Sequence, residues 1–160
     1  IEKEVQSGIP ASRIIIAGFS QGAAVSMHIG YSHNLLQKNN TKDQKANLKS
    51  YHYPETLGGV IALSGYLPIK GNEMFEVNEN AKKTPLFVGH GTVDQVVRYE
   101  WGKNSYEALV KAGVQGVFKT YLQMGHGSCP EEMKEVSAFI AEHLLEPNLL
   151  LLLLFLFVIF

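Results

Sequence analysis

The chain has 160 residues, of which 46% are hydrophobic and 18% charged, and its formal net charge at pH 7 is -1. That length suffices for one domain with a sizeable core, and a charge so close to zero offers no footprint for nucleic acid. The single cysteine, Cys129, excludes an internal disulfide and indicates a reducing compartment, and no Cys and His cluster has zinc spacing. The chain begins at Ile1 with alternating charges instead of a signal peptide, and we expect a piece of a longer protein.

Hydrophobic patterning predicts strands that alternate with helices along the chain. A short helix over residues 1–8 ends at a glycine that is soon followed by Pro10. Strands are predicted at 13–17, 58–65, 86–90 and 117–121, and helices from the first strand to about residue 30, at 98–112 and at 130–144. The first strands are apolar without alternation, which is typical of parallel strands covered on both faces, so the predicted class is α/β.

Two of the predicted helices carry apolar stripes. In the helix at 98–112 we expect the buried face to hold Tyr99, Trp101, Tyr106, Leu109 and Val110. In the last helix we expect it to hold Met133, Val136, Phe139, Ile140 and Leu144, with Glu131 and Glu132 in the favourable first turn.

Two segments depart from this pattern. Residues 31–55 are polar and weakly periodic, and we interpret them as a long surface insertion in a partial domain that spans residues 1–146. Residues 147–160 form an apolar tail outside that domain. Its twelve residues 149–160 would reach only about 18 Å as a helix, against a hydrocarbon core of about 30 Å. The tail is either a terminus that touches a membrane or, the reading we favour, sequence foreign to the natural domain.

The segment Gly18-Phe19-Ser20-Gln21-Gly22 lies between the first predicted strand and the alanine-rich helix. Strand, tight turn and helix are the context of a nucleophile elbow, in which a serine hydroxyl is lifted clear of the sheet. The glycines two positions before and two positions after Ser20 allow the strand and the helix to approach each other closely. The first helical amides would face a tetrahedral oxyanion. Ser20 is therefore the candidate nucleophile.

A nucleophilic serine needs a base, and the base needs an acid that orients it. The chain has only two aspartates, and Asp94 follows the third strand whereas Asp43 lies in the polar insertion. Of the two histidines after Asp94, His126 sits in a glycine-flanked loop after the fourth strand, whereas His143 sits near the end of the last helix. The order Ser20, Asp94, His126 is that of a hydrolase triad. The alternatives are a turn or cap aspartate and a surface histidine.

The other reactive side chains have structural interpretations. We expect His90 to support the Asp94 loop by hydrogen bonding, and His28 to pack behind Ser20. Cys129 carries no mark of a lowered pKa and is interpreted as a small buried hydrophobe.

Four segments carry a resemblance to a known family: Gly18-Phe19-Ser20-Gln21-Gly22, Ala62-Leu63-Ser64-Gly65-Tyr66-Leu67-Pro68, His90-Gly91-Thr92-Val93-Asp94 and Met124-Gly125-His126. In their order and spacing the chain resembles the acyl-protein thioesterase / lysophospholipase family, small cytosolic serine carboxylesterases with the α/β-hydrolase fold. The resemblance runs from about Gly8 to Leu145. It places the nucleophile on Ser20, the acid on Asp94, the base on His126 and one oxyanion amide on Gln21.

The resemblance implies hydrolysis of palmitoyl-cysteine thioesters on proteins, or of lysophospholipid and short-chain esters, with no metal or organic cofactor. It also implies an acyl channel bordered by Leu67 and Pro68 and a cytoplasmic location. Two alternatives stay open: a general carboxylesterase or lysophospholipase without protein substrates, and a non-catalytic binding module. The sequence does not indicate an oligomeric state.

Three departures from the family stand out. The N-terminal half is absent, with its first strands and the loop that donates the second oxyanion amide. The insertion is longer than the family's usual connection, and residues 149–160 match nothing in it. Without its neighbour, the first strand should present an apolar edge at residues 14–17, and such edges promote aggregation, so we expect residues 1–160 alone to be poorly soluble.

Overall fold

The computed structural model of the chain describes residues 1–31, 53–67, 77–144 and the backbone of 154–155. The elements are, in chain order, α1 (Glu2–Gln6), a 3₁₀ turn (Ala11–Arg13), β1 (Ile15–Phe19), α2 (Gln21–Tyr31), β2 (Gly59–Leu63), α3 (Glu79–Lys82), β3 (Leu86–Gly91), α4 (Tyr99–Lys111), β4 (Gly116–Tyr121), α5 (Pro130–Leu144) and β5 (Leu154–Phe155). Helices and strands alternate, which is the α/β class that the sequence predicts.

The strands form one parallel sheet in the order β4-β3-β2-β1-β5. In the register of the central pairs Ile15 lies beside Gly59, and Leu86 lies beside both Val60 and Gly116. Because all strands run the same way, the loops that follow them gather at one edge of the sheet. We call this the carboxyl edge.

Helices cover both faces of the sheet. On one face, α2 and α4 pack on a core that includes Met27, Val60, Val88 and Leu109. On the other face, α5 covers a second core. Strands buried on both sides need no alternation of polar and apolar residues, which is why β1 to β3 are continuously apolar in the sequence.

The first strand begins later than the sequence pattern predicts. The pattern gave a strand over 13–17, whereas β1 spans Ile15–Phe19. Pro10 precedes a 3₁₀ turn, in which the Arg13 amide donates to the Pro10 carbonyl at 2.9 Å. Arg13, the first residue of the predicted strand, therefore belongs to this turn. The strand therefore runs up to the residue before Ser20.

The buried face of α4 differs from the predicted one, whereas that of α5 differs at a single position. In α4 the buried residues are Gly102, Ser105 and Leu109, whereas Trp101 is 47% exposed and Val110 is 43% exposed. Small side chains face the sheet there because the buried ring of His90 leaves little space beside Gly102.

The last helix contains a similar exchange. Met133 is 40% exposed, and the fully buried position beside it belongs to Glu132. The other four predicted residues of this face, Val136, Phe139, Ile140 and Leu144, are buried as the apolar stripe predicts, so the difference is confined to the first turn.

The expected bare edge of β1 is partly covered. Leu154 and Phe155 form a two-residue parallel strand opposite Ile16 and Ala17. This pairing contradicts the expectation that the whole edge is unpaired. The rest of the tail, and nearly all of the predicted insertion, lie outside the described residues. The boundaries of the domain stay a prediction.

No helix within the described ranges is both long and apolar enough to cross a membrane.

One buried hydrogen bond ties α2 to the start of β3. The Tyr31 hydroxyl, fully buried, donates to the Thr84 carbonyl at 3.0 Å, and burial raises the pKa of this phenol. Replacing Tyr31 with phenylalanine leaves that carbonyl unpaired, and we expect a loss of about 1–2 kcal/mol in the free energy of unfolding by urea. Tyr106→Phe is the matched control, since its exposed hydroxyl bonds to the Gly116 carbonyl and water can replace it. Equal losses in both variants would contradict the expectation.

Candidate functional site

Ser20 occupies the tight turn between β1 and α2. Its φ of 56° lies in the left-handed region, which non-glycine residues rarely adopt. A Cβ at Gly18 would collide with the backbone of Gly22, so the strand and helix can meet closely only with glycine there. The Ser20 amide donates to the Leu63 carbonyl at 2.9 Å, which anchors the turn on β2. This is the backbone arrangement of a nucleophile elbow.

The predicted oxyanion donor, Gln21, is the first residue of α2. The Ser20 carbonyl accepts the amides of Ala23 and Ala24 at 3.1 and 3.2 Å, which closes the first helical turn. The amides before these belong to the helix N-terminus, where the helix dipole favours negative charge. The placement of Gln21 is therefore compatible with the predicted role.

Asp94 lies in the loop between β3 and α4, and its side chain is fully buried. Oδ1 accepts the amides of Val96 and Val97, each at 2.9 Å. Burial raises the pKa of Asp94, but hydrogen bonds from His126 and from the two amides outweigh it, so the pKa lies below its ordinary value. The carboxylate therefore stays ionised while buried. Asp94 also holds its own turn, as the structural alternative proposed, but it does not cap α4, whose N-cap is Arg98.

His126 follows β4 in the loop before α5. Its Nδ1 lies 2.8 Å from Asp94 Oδ2, and the side chain is 18% exposed. The imidazole also packs against the ring of Phe19, and the two ring centroids lie 4.7 Å apart. The structure thus brings together Asp94, His126 and the residue directly before Ser20.

Ser20 and His126 are not joined directly. Within the described ranges, no hydrogen bond joins the Ser20 hydroxyl to the imidazole. Such bonds are often long in unliganded enzymes and tighten when substrate binds. Because Nδ1 is engaged by Asp94, Nε2 is the nitrogen left to act on a serine hydroxyl.

Among the described residues, three that are not glycine have left-handed backbone angles, and all three lie at the carboxyl edge. They are Ser20 after β1 (φ 56°), Ser64 after β2 (φ 47°) and Gln123 after β4 (φ 59°). Each such residue typically costs about 1–3 kcal/mol, and strained residues cluster at functional sites. The strain therefore independently marks the edge that the sequence motifs indicate.

The predicted channel residues are only partly described. Leu67 is 6% exposed and belongs to the core on the α2 and α4 face, where its amide donates to Ser105 Oγ at 2.8 Å. Pro68 lies outside the described residues. The role of both in an acyl channel stays a prediction.

Sequence reasoning missed Glu132, whose side chain is buried in α5. Neither carboxyl oxygen has a hydrogen-bond partner among the described residues, and Oε1 lies against the place where Gly89 would carry a Cβ. Burial, and then the charge of Glu135, raises the pKa of Glu132 to about 7. The sequence placed Glu132 in the first turn of the helix for its favourable interaction with the helix dipole, and only the absence of a side chain at Gly89 could have suggested a buried position.

Within the described part of the chain, no three His, Cys, Asp or Glu side chains converge in a way that could hold a metal ion.

A parallel sheet flanked by helices, with a serine on a strained elbow and an Asp–His pair at the same edge, defines the α/β-hydrolase class. Comparison with known proteins makes the assignment narrower. The chain matches the family described as Phospholipase/Carboxylesterase over residues 1–39 and 47–144. The chain belongs to that family.

Named relatives agree with this assignment. The chain is 44% identical over 136 residues to "Acyl-protein thioesterase 1 homolog 1" of Dictyostelium discoideum, covering 85% of this chain and 51% of the relative. It is 38% identical over 146 residues to "Acyl-protein thioesterase 1" of Neurospora crassa, covering 90% and 51%. The crystal structure of Arabidopsis thaliana SOBER1 superimposes with a TM-score of 0.70 at 30% identity, covering 89% of this chain and 59% of that one. The chain thus spans about half the length of the first two relatives.

Proposed function

We propose that this chain is the part of a serine hydrolase that carries the catalytic triad, Ser20, His126 and Asp94. The proposed reaction is cleavage of acyl thioesters or esters through an acyl-enzyme, with S-acylated proteins as the substrates. The observation that carries the proposal is the 2.8 Å contact of His126 with a buried Asp94 beside the Ser20 elbow. The thioesterase relatives support the choice of substrate, and the single cysteine is compatible with a cytoplasmic location.

In the first half-reaction, Ser20 Oγ attacks the thioester carbonyl carbon while His126 Nε2 takes the hydroxyl proton. The Gln21 amide donates to the oxyanion that forms. Collapse of the tetrahedral intermediate breaks the carbon–sulfur bond, and the departing thiolate takes the proton from His126. The acyl group is then an ester of Ser20.

In the second half-reaction, His126 takes a proton from water, and the resulting hydroxide adds to the acyl-serine carbonyl. Collapse returns the proton to Ser20 Oγ and releases the fatty acid. Asp94 stays ionised in both halves, because its lowered pKa keeps it a carboxylate that stabilises the imidazolium.

A general esterase is the second candidate. Another relative, 35% identical over 144 residues, is named "Probable carboxylesterase Os04g0669500" of Oryza sativa. Turnover of a palmitoylated peptide against turnover of a lysophospholipid separates the two candidates. A clear preference for the lysophospholipid would favour the general esterase over the protein thioesterase.

A fluorophosphonate probe tests the hydrolase proposal directly, because it phosphonylates only an activated serine. We expect covalent labelling of the full-length protein that contains this chain, and none of its Ser20→Ala variant. Ser137→Ala is the matched control, since the Ser137 hydroxyl lies on the exposed side of α5 and donates to the Met133 carbonyl. Equal labelling of all three, or no labelling of folded wild type, would favour the non-catalytic binding module.

A further inference from the structure

We infer that His90 is a positioning residue for the proposed triad: its ring N–H holds the Val97 carbonyl, and so the turn whose amides hold Asp94, and it lies near the carboxylate oxygen that His126 uses. The inference rests on the function proposed above. It concerns a side chain that the acyl-transfer steps do not use and that does not touch the reacting atoms.

The hydrogen bonds of His90 determine which ring nitrogen carries the proton. Nε2 lies 2.9 Å from the Val97 carbonyl oxygen, which can only accept, so Nε2 is the donor. Nδ1 has no partner within the described ranges, and the residue is fully buried. A proton on Nδ1 would be a buried donor without an acceptor, which is costly. The ring is therefore held in its neutral Nε2–H form.

The same N–H also faces Asp94. His90 Nε2 lies 3.4 Å from Oδ2, the oxygen that accepts from His126 Nδ1 at 2.8 Å. Oδ1 is already occupied by the amides of Val96 and Val97. The His90 N–H donates to the Val97 carbonyl and lies 3.4 Å from Oδ2 without a hydrogen bond to it, and through Val97 it closes residues 94–97 into one hydrogen-bonded unit.

Helix α4 fixes the His90 ring in this orientation. Any side chain at Gly102 would collide with Nδ1 and Cε1 of the ring. Tyr99 meets the ring edge-on, with centroids 6.0 Å apart and an interplanar angle of 86°, and its hydroxyl pairs with Thr120 Oγ1 at 2.9 Å. In the described part of the chain, Asp94 and Tyr99 are the titratable groups in contact with His90. The ring can therefore neither tilt nor flip without displacing α4.

The His90 N–H places partial positive charge near Oδ2. If that N–H is removed, Oδ2 keeps its hydrogen bond from His126 and stabilises the protonated form of His126 more strongly. The base then gives up its proton at higher pH, and the looser Asp94 also orients it less well. Loss of His90 should therefore shift the pH dependence of the serine's reactivity as well as lower its rate.

Three substitutions in the full-length protein that contains this chain separate this role from packing. Glutamine can place an amide N–H near the position of ring Nε2. Asparagine carries the same amide one methylene short of it, and phenylalanine fills the ring space with no donor. His143→Gln is the control for loss of a histidine, because His143 packs against Phe139 on α5. The readouts are the pH profile of fluorophosphonate labelling and the low-field NMR resonance of the His126 Nδ1 proton.

For folded His90→Asn and His90→Phe we expect the acidic midpoint of labelling to rise by on the order of half a pH unit, and the plateau rate to fall about tenfold. His90→Gln should return both to within about twofold of wild type. An unmoved midpoint in asparagine and phenylalanine variants, or a glutamine variant that behaves like asparagine, would overturn the inference. If wild type is not labelled at all, the proposed function fails. The NMR resonance still decides the role of His90, since it should move in His90→Asn and stay in His143→Gln.

Discussion

Replacement of Asp94 by asparagine is expected to lower the labelling rate of Ser20, and kcat/KM for any acyl substrate, by about 10³ to 10⁴-fold. The carboxylate oxygen Oδ2 accepts from His126 Nδ1 at 2.8 Å. An amide nitrogen at that position would face the His126 donor, so the ring would move its proton to Nε2 or turn away. Either change removes the lone pair that takes the serine proton. The measurement is the second-order rate constant of fluorophosphonate labelling.

The matched control is Asp43→Asn, the same chemical change at the chain's other aspartate. It should leave the rate within about twofold of wild type, as expected when Asp94 alone is the acid of the triad. Thermal melting shows whether Asp94→Asn is folded. A folded Asp94→Asn that is labelled at the wild-type rate would remove Asp94 from the triad.

Replacement of Glu132 by glutamine is expected to change how stability depends on pH. The pKa of this carboxyl is about 7 in the folded chain, against 4.5 as its reference value. The folded state thus binds a proton that the unfolded state has released between these values, so the free energy of unfolding falls as pH rises from about 4.5 to about 7. A shift of this size is worth about 3 kcal/mol. Glutamine does not titrate and removes that loss.

The quantity to measure is the difference in unfolding free energy between Glu132→Gln and wild type, by urea titration at pH 4 and pH 8. We expect the difference to move by about 3 kcal/mol in favour of the glutamine variant at pH 8. The difference at a single pH is less informative, because a buried amide without partners carries its own cost. Glu131→Gln, exposed in the same helical turn, should keep the wild-type pH dependence. Parallel curves for Glu132→Gln and wild type would mean that the buried carboxyl does not titrate in this range.

Local signals predict much of the fold. The continuous apolar runs at β2 and β3, the glycine that follows α4 and the proline that begins α5 each act within a few residues, and the elements lie close to where these signals place them. The family and the α/β-hydrolase class follow from motifs that keep their order along the chain, and the comparisons confirm both.

Features that depend on packing between distant segments are not visible in the sequence. The aromatic stripe of α4 suggested Trp101 as a buried residue, but the ring of His90 admits only small side chains at Gly102. The apolar stripe of α5 suggested Met133, but the missing side chain at Gly89 leaves room for Glu132. Which positions of a helix are buried depends on the space that the neighbouring elements leave, and hydrophobic periodicity does not report that space.

The left-handed residues at the carboxyl edge also bear on engineering. Glycine at Ser64 or Gln123 would relax an unfavourable backbone angle, and a search for heat-resistant variants would be drawn to these two positions. They hydrogen-bond to the loops of the candidate base and acid, since Ser64 Oγ donates to the Gly127 carbonyl at 3.4 Å and the Gln123 amide donates to Thr92 Oγ1 at 3.0 Å. Gains in thermal tolerance found there should therefore come with slower turnover, whereas stabilising substitutions on the outer surfaces of α4 and α5 should be free of that trade-off.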